Sequence, residues 1–225
     1  PPCPPPAPPP FLQSFTNDRY AIVSMGAYPG TASSIRGTLV VQAHSGALHI
    51  YGYVTGLQAA VEGGWHVHAG FSCDAHDDVL GHYMAADGTD PWTTTDKYTT
   101  DAKGVTEVSL AVPGFSLDED MPVAGRVIVS HSSSGERVGC GVITPTTAEV
   151  ALIGTYPAYT GATPVLGLLS LKEVSGGLEV KGTLTGLQEG VQGGWHVHSG
   201  FSCASRDGVF GHFNAADGTD PWADL

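Results

Sequence analysis

The sequence predicts an all-β protein that folds as an antiparallel sandwich or barrel, and three observations lead to this class. Short segments rich in β-branched and aromatic residues recur along the chain. Turns bearing Gly and Pro separate them, in keeping with a content of 31 Gly and 16 Pro. Several segments alternate apolar with polar residues, and none has the periodicity of a helix of about ten residues.

Seven strands are predicted in the first part of the chain. In order they are Tyr20–Met25, Gly37–Gln42, Leu48–Thr55, Gly64–His68, Val105–Val112, Val123–Ser130 and Val138–Ile143. Alternation is clearest in GALHIYGYV and VTEVSLAV, which is typical of strands with one buried face. This number of short strands favours an antiparallel Greek-key architecture.

An internal repeat organises the chain. GGWHVHAGFSC at 63–73 recurs as GGWHVHSGFSC at 193–203, an offset of 130 residues (193 minus 63). AADGTDPW at 85–92 recurs unchanged at 215–222. We therefore predict tandem Greek-key barrels of which the second is incomplete. The predicted domains are a Pro-rich extended arm over 1–17, a complete domain over 18–146 and the N-terminal half of a second domain over 147–225.

The second copy is predicted to hold only the first four strands of the repeat. Half of a Greek-key barrel would leave an open apolar face and bare strand edges, so it should not be stable alone. Two explanations stay open. An N-terminal segment of one subunit covers the open face of the next in a head-to-tail assembly, or the polypeptide continues beyond residue 225.

Composition and charge exclude several classes of function. The net charge of −13, from 22 acidic and 9 basic side chains, argues against nucleic acid or an anionic membrane as partner. No apolar run is long enough for a transmembrane helix. The four cysteines are widely spaced and form no CxxC pair, which suits structural disulfides in an oxidising compartment. We expect an extracellular or cell-surface location.

The first ten residues, PPCPPPAPPP, favour an extended polyproline II conformation. This arm is either a stiff linker or a ragged terminus, or else it is a docking strand or a glycosylated stalk. The tract resembles the Pro-rich segments of algal and plant hydroxyproline-rich cell-wall glycoproteins.

Histidines form the most informative pattern. His66 and His68 flank Val67 in a predicted strand, so both imidazoles should lie on one face. Such a pair alone is more often a surface or packing feature than a chelate. His82 follows in a Gly-rich loop and His131 ends the strand VIVSH. The first three histidines recur together as a partial second set, His196, His198 and His212.

The ordered landmarks GGWHVH, Cys73, GHYM, VIVSH and ERVGCGVI resemble those of Cu/Zn superoxide dismutases, over about residues 21–144 and partly again over 151–225. The resemblance implies a superoxide dismutase-like barrel and dismutation of superoxide at a metal site. It implies that Cys73 and Cys140 form a disulfide and that Arg137 holds the superoxide anion. It also implies the following copper ligands: His66, His68, His82 and His131.

Two departures from the family bear on the cofactor. No histidine lies between His82 and His131, and carboxylates without imidazole would make a poor zinc site. The loop between His131 and Arg137 is only SSSGE, so the family's substrate-guiding loop is missing. Both features resemble the copper-only branch of the family. We therefore expect copper and no zinc.

Two functions agree with these sequence features. The first is an extracellular copper-only superoxide dismutase. The second is a structural, filament-forming or cell-surface protein that reuses the fold, as a homo-oligomer assembled through its Pro-rich arm. Cys3 and Cys203 have no expected intradomain partner, which suggests a link between chains.

Overall fold

A computed structural model describes residues 20–94, 97–161 and 163–223, which form strands, turns and irregular segments with little helix. The predicted Pro-rich arm, residues 1–17, lies outside the described residues, and so does Cys3. Two helices of one turn are described, α1 (His76–Val79) and α2 (Arg206–Val209), with a 3₁₀ turn at Pro91–Thr93. None of the described helices has the length and apolar character needed to cross a bilayer.

Eight strands form one antiparallel sheet that curls into a nearly closed barrel. They are β1 (Tyr20–Ala27), β2 (Arg36–His44), β3 (Ala47–Thr55), β4 (Glu62–His68), β5 (Tyr98–Thr99), β6 (Thr106–Pro113), β7 (Val127–His131) and β8 (Arg137–Thr146). Their order in the sheet is β5-β4-β7-β8-β1-β2-β3-β6. The all-β prediction is confirmed.

Side-chain alternation places the core inside the barrel. β6 alternates strictly between buried and exposed residues, with Val108, Leu110 and Val112 inside. In β4, Trp65 and Val67 point into the same core. His66 and His68, which alternate with them, therefore face the opposite side of the sheet, because successive side chains of a strand point to opposite faces.

A second sheet of three strands follows, made of β9 (Glu149–Ile153), β10 (Leu166–Val174) and β11 (Gly177–Thr185). β10 and β11 pack on β2 and β3, where the Thr38 and Thr183 hydroxyls lie 3.1 Å apart. This contact explains why six consecutive residues of β2, 37–42, are all buried: both faces of the strand are covered.

The structure shifts two predicted strands. Of the segment Val123–Ser130, only the part from Val127 is strand, because the Arg126 N–H donates to the Val123 carbonyl and closes a turn there. The second copy forms three of its four predicted strands. The segment that aligns with β4 is irregular, since β4 itself is held by β5 and β7, and no described strand plays that part for residues 192–198.

The chain divides into two compact units. The described part of the larger consists of residues 20–94, 97–153 and 166–185 and contains the barrel and the three-stranded sheet. The described part of the smaller consists of residues 154–161, 163–165 and 186–223. The boundaries predicted at 17/18 and 146/147 stay predictions.

Candidate metal centre

β4 and β7 bring three histidines together on the outer side of the barrel wall. His66 and His68 lie on the face of β4 opposite to its core residues. β7 is the neighbouring strand and ends at His131, which pairs with Gly64 across the ladder. Gly63 is required beside it, because a Cβ there would lie 2.4 Å from the His131 carbonyl oxygen.

The fourth histidine comes from the loop after α1. His82 forms an isolated antiparallel bridge with His68, and the Tyr83 N–H donates to the Val67 carbonyl at 2.9 Å. The loop is closed tightly at Gly70, where a Cβ would lie 2.0 Å from the Asp78 carbonyl oxygen. These local bonds fold the loop back over β4.

The four predicted histidines converge as one cluster, named here the first cluster. Its members are His66, His68, His82 and His131. One ligand nitrogen from each lies within 4.8 Å of the others. The Nε2 atoms of His68 and His131 are 3.4 Å apart, a separation that two ligand bonds of about 2 Å from one ion would span.

Hydrogen bonds fix the tautomers of three of these rings. The Nδ1–H of His68 donates to the Leu80 carbonyl at 3.0 Å, and that of His131 to the Gly135 carbonyl at 3.0 Å. The Nδ1–H of His82 donates to Asp90 Oδ2 at 2.7 Å. Each ring therefore keeps its Nε2 lone pair for a ligand bond.

His66 is different, because its buried Nδ1 has no hydrogen-bond partner among the described residues. A buried polar nitrogen without a partner costs free energy of about 1–3 kcal/mol. A metal ion bound by the cluster would satisfy this atom. The residues present therefore fit a metal ion held by four imidazoles.

The electrostatics favour the neutral form of three of the rings, and metal binding requires neutral imidazoles. Burial, followed by the neighbouring imidazoles, lowers the pKa of His66 to about 3. Burial also lowers the pKa of His68 to about 4, and the Arg137 charge adds to this effect. Burial likewise lowers the pKa of His131.

Asp90 orients His82 and is itself held in place. Its other oxygen, Oδ1, accepts the Trp92 N–H at 3.0 Å, and the Trp92 Nε1–H donates to the Tyr83 carbonyl at 2.8 Å. Partial burial raises the pKa of Asp90, but the bonds from His82 and Trp92 outweigh it and the net shift is downward. Asp90 is therefore an anionic acceptor for the His82 Nδ1–H.

Arg137 stands beside the cluster. It begins β8 and lies opposite His131 at a bulge between β7 and β8. Its Nη1 donates to the Tyr28 hydroxyl at 2.9 Å, and that hydroxyl lies 3.1 Å from His76 Nδ1. Buried Tyr28 thus positions the guanidinium group next to the histidines.

Two cross-links hold the His82 loop against the barrel. Cys73 and Cys140 form a disulfide that joins this loop to β8. The Arg126 guanidinium stacks 3.5 Å from the ring centroid of Tyr83 and 4.8 Å from that of Phe71, and its Nη1 donates to the Ala69 carbonyl at 2.7 Å. The predicted disulfide is confirmed.

A second cluster of three histidines lies in the smaller unit. His196, His198 and His212 each offer a ligand nitrogen, and these atoms also lie within 4.8 Å of one another. Their side chains are half-buried. Cys203 is a free, exposed thiol.

The sequence missed three residues of the site. Asp90 was one of several loop carboxylates with nothing to single it out, although it recurs as Asp220 in the repeated AADGTDPW. Tyr28 and Arg126 act from positions remote in sequence from the histidines they support. No local motif marks either of them.

A cleft opens onto the first cluster. Three of the histidines, His66, His82 and His131, line it beside backbone of small residues such as Gly64 and Gly135. The cluster is thus reachable by a small molecule.

Comparison with known protein families and with curated proteins gives no match for this sequence. Among solved structures, the chain is similar to the crystal structure of the clock protein EA4, with 21% identity and a TM-score of 0.47. The similarity covers 59% of this chain and 98% of that chain.

Proposed function

We propose that the protein is an extracellular copper-binding superoxide dismutase-like protein that dismutes superoxide at the first cluster. The observation that carries the proposal is the convergence of four imidazoles beside an arginine. The barrel would then be a superoxide dismutase-like Greek-key domain, repeated in part in the second copy. The disulfide Cys73–Cys140 supports an oxidising, extracellular or cell-surface setting.

The donor set favours copper without zinc. Four imidazoles suit copper, whereas the Nδ1 of His82 is bonded to a carboxylate rather than left for a second metal ion. A bound copper ion would supply one-electron chemistry, taking an electron from one superoxide and giving one to another. The balance is two superoxide anions and two protons to one oxygen and one hydrogen peroxide.

The chain's own residues bind and orient the substrate. The cleft admits a small anion to the cluster. Arg137, which lies beside His131 and outside the lining of this cleft, offers the anion a positive charge and a fork of donors. Tyr28 holds that guanidinium in place through the hydrogen bond from Nη1. Arg137 is the proposed catalytic residue, and Tyr28 is a positioning residue.

The test measures superoxide consumption by the copper-loaded 225-residue chain, using pulse radiolysis. His131→Ala should abolish the rate, and Arg137→Ala should lower kcat/KM by about tenfold or more, because local guidance of the anion is lost. His44→Ala, an exposed histidine outside the cluster, is the matched control and should keep the rate. If His131→Ala and Arg137→Ala both retain full activity, the assigned site is wrong.

A second candidate function is a structural, filament-forming or cell-surface protein assembled through its N-terminal arm. Exposed apolar side chains of the second copy favour it. Trp195 is 50% exposed where its counterpart Trp65 is 3% exposed, and Leu187 is 61% exposed where Leu57 is 7% exposed. The matching positions of the first copy are buried, which supports a covering contact for Trp195 and Leu187.

Non-reducing electrophoresis tests the assembled form. A Cys3–Cys203 link between chains should give a ladder that collapses on reduction and in the Cys203→Ser variant. Monomer alone with free thiols would count against the assembled form. The two functions are compatible, since each complete barrel in an assembly would keep its own copper cluster.

A further inference from the structure

The loop that carries the histidines is folded by its own hydrogen bonds, and it occurs twice. Residues 196–222 of the second copy are named here the second cassette. In it, the Ser199 N–H donates to the Gly211 carbonyl at 2.9 Å and the Phe213 N–H donates to the Val197 carbonyl at 2.8 Å. The matching bonds in the first copy measure 2.8 and 2.9 Å. These backbone hydrogen bonds of the first copy therefore recur in the second cassette.

The same holds for the side chains that orient the ligands. The Nδ1–H of His198 donates to the Phe210 carbonyl at 2.9 Å, and that of His212 to Asp220 Oδ2 at 2.7 Å. Asp220 also accepts the Trp222 N–H at 2.9 Å. Both imidazoles thus present Nε2 to the cluster, and every partner lies within the cassette.

The second cassette reaches this arrangement without the supports of the first. The first loop is tied to the barrel by a disulfide, by Arg126 and by pairing of β4 with β7. In the second copy Cys203 is free, and the segment that aligns with β4 is not a strand. Convergence of the three imidazoles is therefore a property of the cassette itself.

The clusters differ in their fourth ligand. His131 comes from β7, outside the loop, and closes the first cluster. Among the described residues no fourth His, Cys, Asp or Glu joins His196, His198 and His212. Three imidazoles are also the protein ligands of metal sites that keep a position open to a small exogenous ligand.

We propose that the second cassette is an autonomous metal site that binds a first-row divalent ion through His196, His198 and His212 and leaves one coordination position for an exogenous small ligand. This goes beyond the function proposed for the first cluster and does not depend on it. Copper(II) is the probe, because imidazole sites bind it most tightly in this series.

The first measurement is copper stoichiometry of the full 225-residue chain by equilibrium dialysis and metal analysis. Wild type should bind two ions per chain. His196→Ala/His212→Ala should bind one, and so should His82→Ala/His131→Ala, each with an unchanged far-UV circular dichroism spectrum. His44→Ala is the control and should bind two.

The outcomes separate this proposal from the proposed function. One ion in wild type that survives His196→Ala/His212→Ala would overturn the second site and leave the first intact. One ion that is lost in that variant would support the second site and contradict copper binding at the first cluster. Because the substituted side chains lie in the smaller unit, the barrel should fold in this variant.

The second measurement tests the open position. In His82→Ala/His131→Ala loaded with one copper(II), azide or imidazole should change the electron paramagnetic resonance spectrum, whereas non-coordinating perchlorate should not. A spectrum unchanged by azide and imidazole would overturn the open position. Asp220→Asn should weaken copper binding at this site by about 10- to 100-fold, since Asp220 orients His212.

Discussion

At the scale of single residues, a carboxylate and an imidazole form the unit that repeats in both clusters. Asp90 accepts the His82 Nδ1–H at 2.7 Å, and Asp220 accepts the His212 Nδ1–H at the same distance. In each pair the aspartate also caps a tryptophan N–H. The carboxylate thus fixes both the ring and the turn that carries it.

We expect Asp90→Asn to weaken metal binding at the first cluster by about 10- to 100-fold, because loss of an orienting carboxylate costs roughly this much in metal sites. The change in copper affinity is measured by competition with a chelator, with the copper absorption band as the readout. Asp220→Asn is the matched control and should leave the first cluster's affinity unchanged. Equal affinities for wild type and Asp90→Asn would show that Asp90 does not position His82.

Metal-free protein should lose stability as the pH falls below about 6.5. The folded pKa values of His66 and His68 are lowered to about 3 and about 4, so the unfolded chain takes up protons first. Stability therefore rises with pH between the folded and unfolded pKa values and levels off above the latter. Urea unfolding from pH 4 to 7.5 tests this.

The matched pair for this pH series is His66→Gln and His44→Ala. The first removes one titrating group from the cluster and should flatten the pH dependence. The second replaces an exposed histidine outside the cluster and is the control for the substitution. A slope that is identical in wild type and His66→Gln would contradict the lowered pKa of His66.

At the scale of secondary-structure elements, the disulfide is the strongest tie between the metal loop and the barrel. Cys73 and Cys140 are separated by 67 residues, and closing a loop of this length stabilises a fold by about 4 kcal/mol in the chain-entropy model. Cys73→Ala/Cys140→Ala should lose most of that free energy of unfolding in denaturant titrations. Cys203→Ser, at an exposed free thiol, should change it little.

Local patterns predicted the strands and the histidine cluster, whereas long-range packing decided the rest. Alternation in VTEVSLAV predicts β6 correctly because that strand has one buried face. The segment that aligns with β4 carries the same residues in both copies, yet only the first is a strand. A strand forms where neighbours complete its hydrogen bonds, and these neighbours lie far away in sequence.

At the scale of the whole molecule, the net charge opposes the proposed substrate. A charge of −13 repels superoxide, and salt screens this field over about 30 Å at 0.01 M but about 8 Å at 0.15 M ionic strength. We therefore expect kcat/KM to rise as salt is added over this range. A steep fall would mean that the local field of Arg137 outweighs the global charge.

The three-stranded sheet over β2 and β3 also determines where a shortened polypeptide that keeps the barrel can end. Residues 149–153 and 166–185 belong to the same compact unit as the barrel. Ending the polypeptide at Thr146, where the repeat suggests a boundary, would remove the cover from Thr38, Val40 and Gln42 and expose this buried face of β2 to water. A soluble single-barrel reagent should instead end after Thr185.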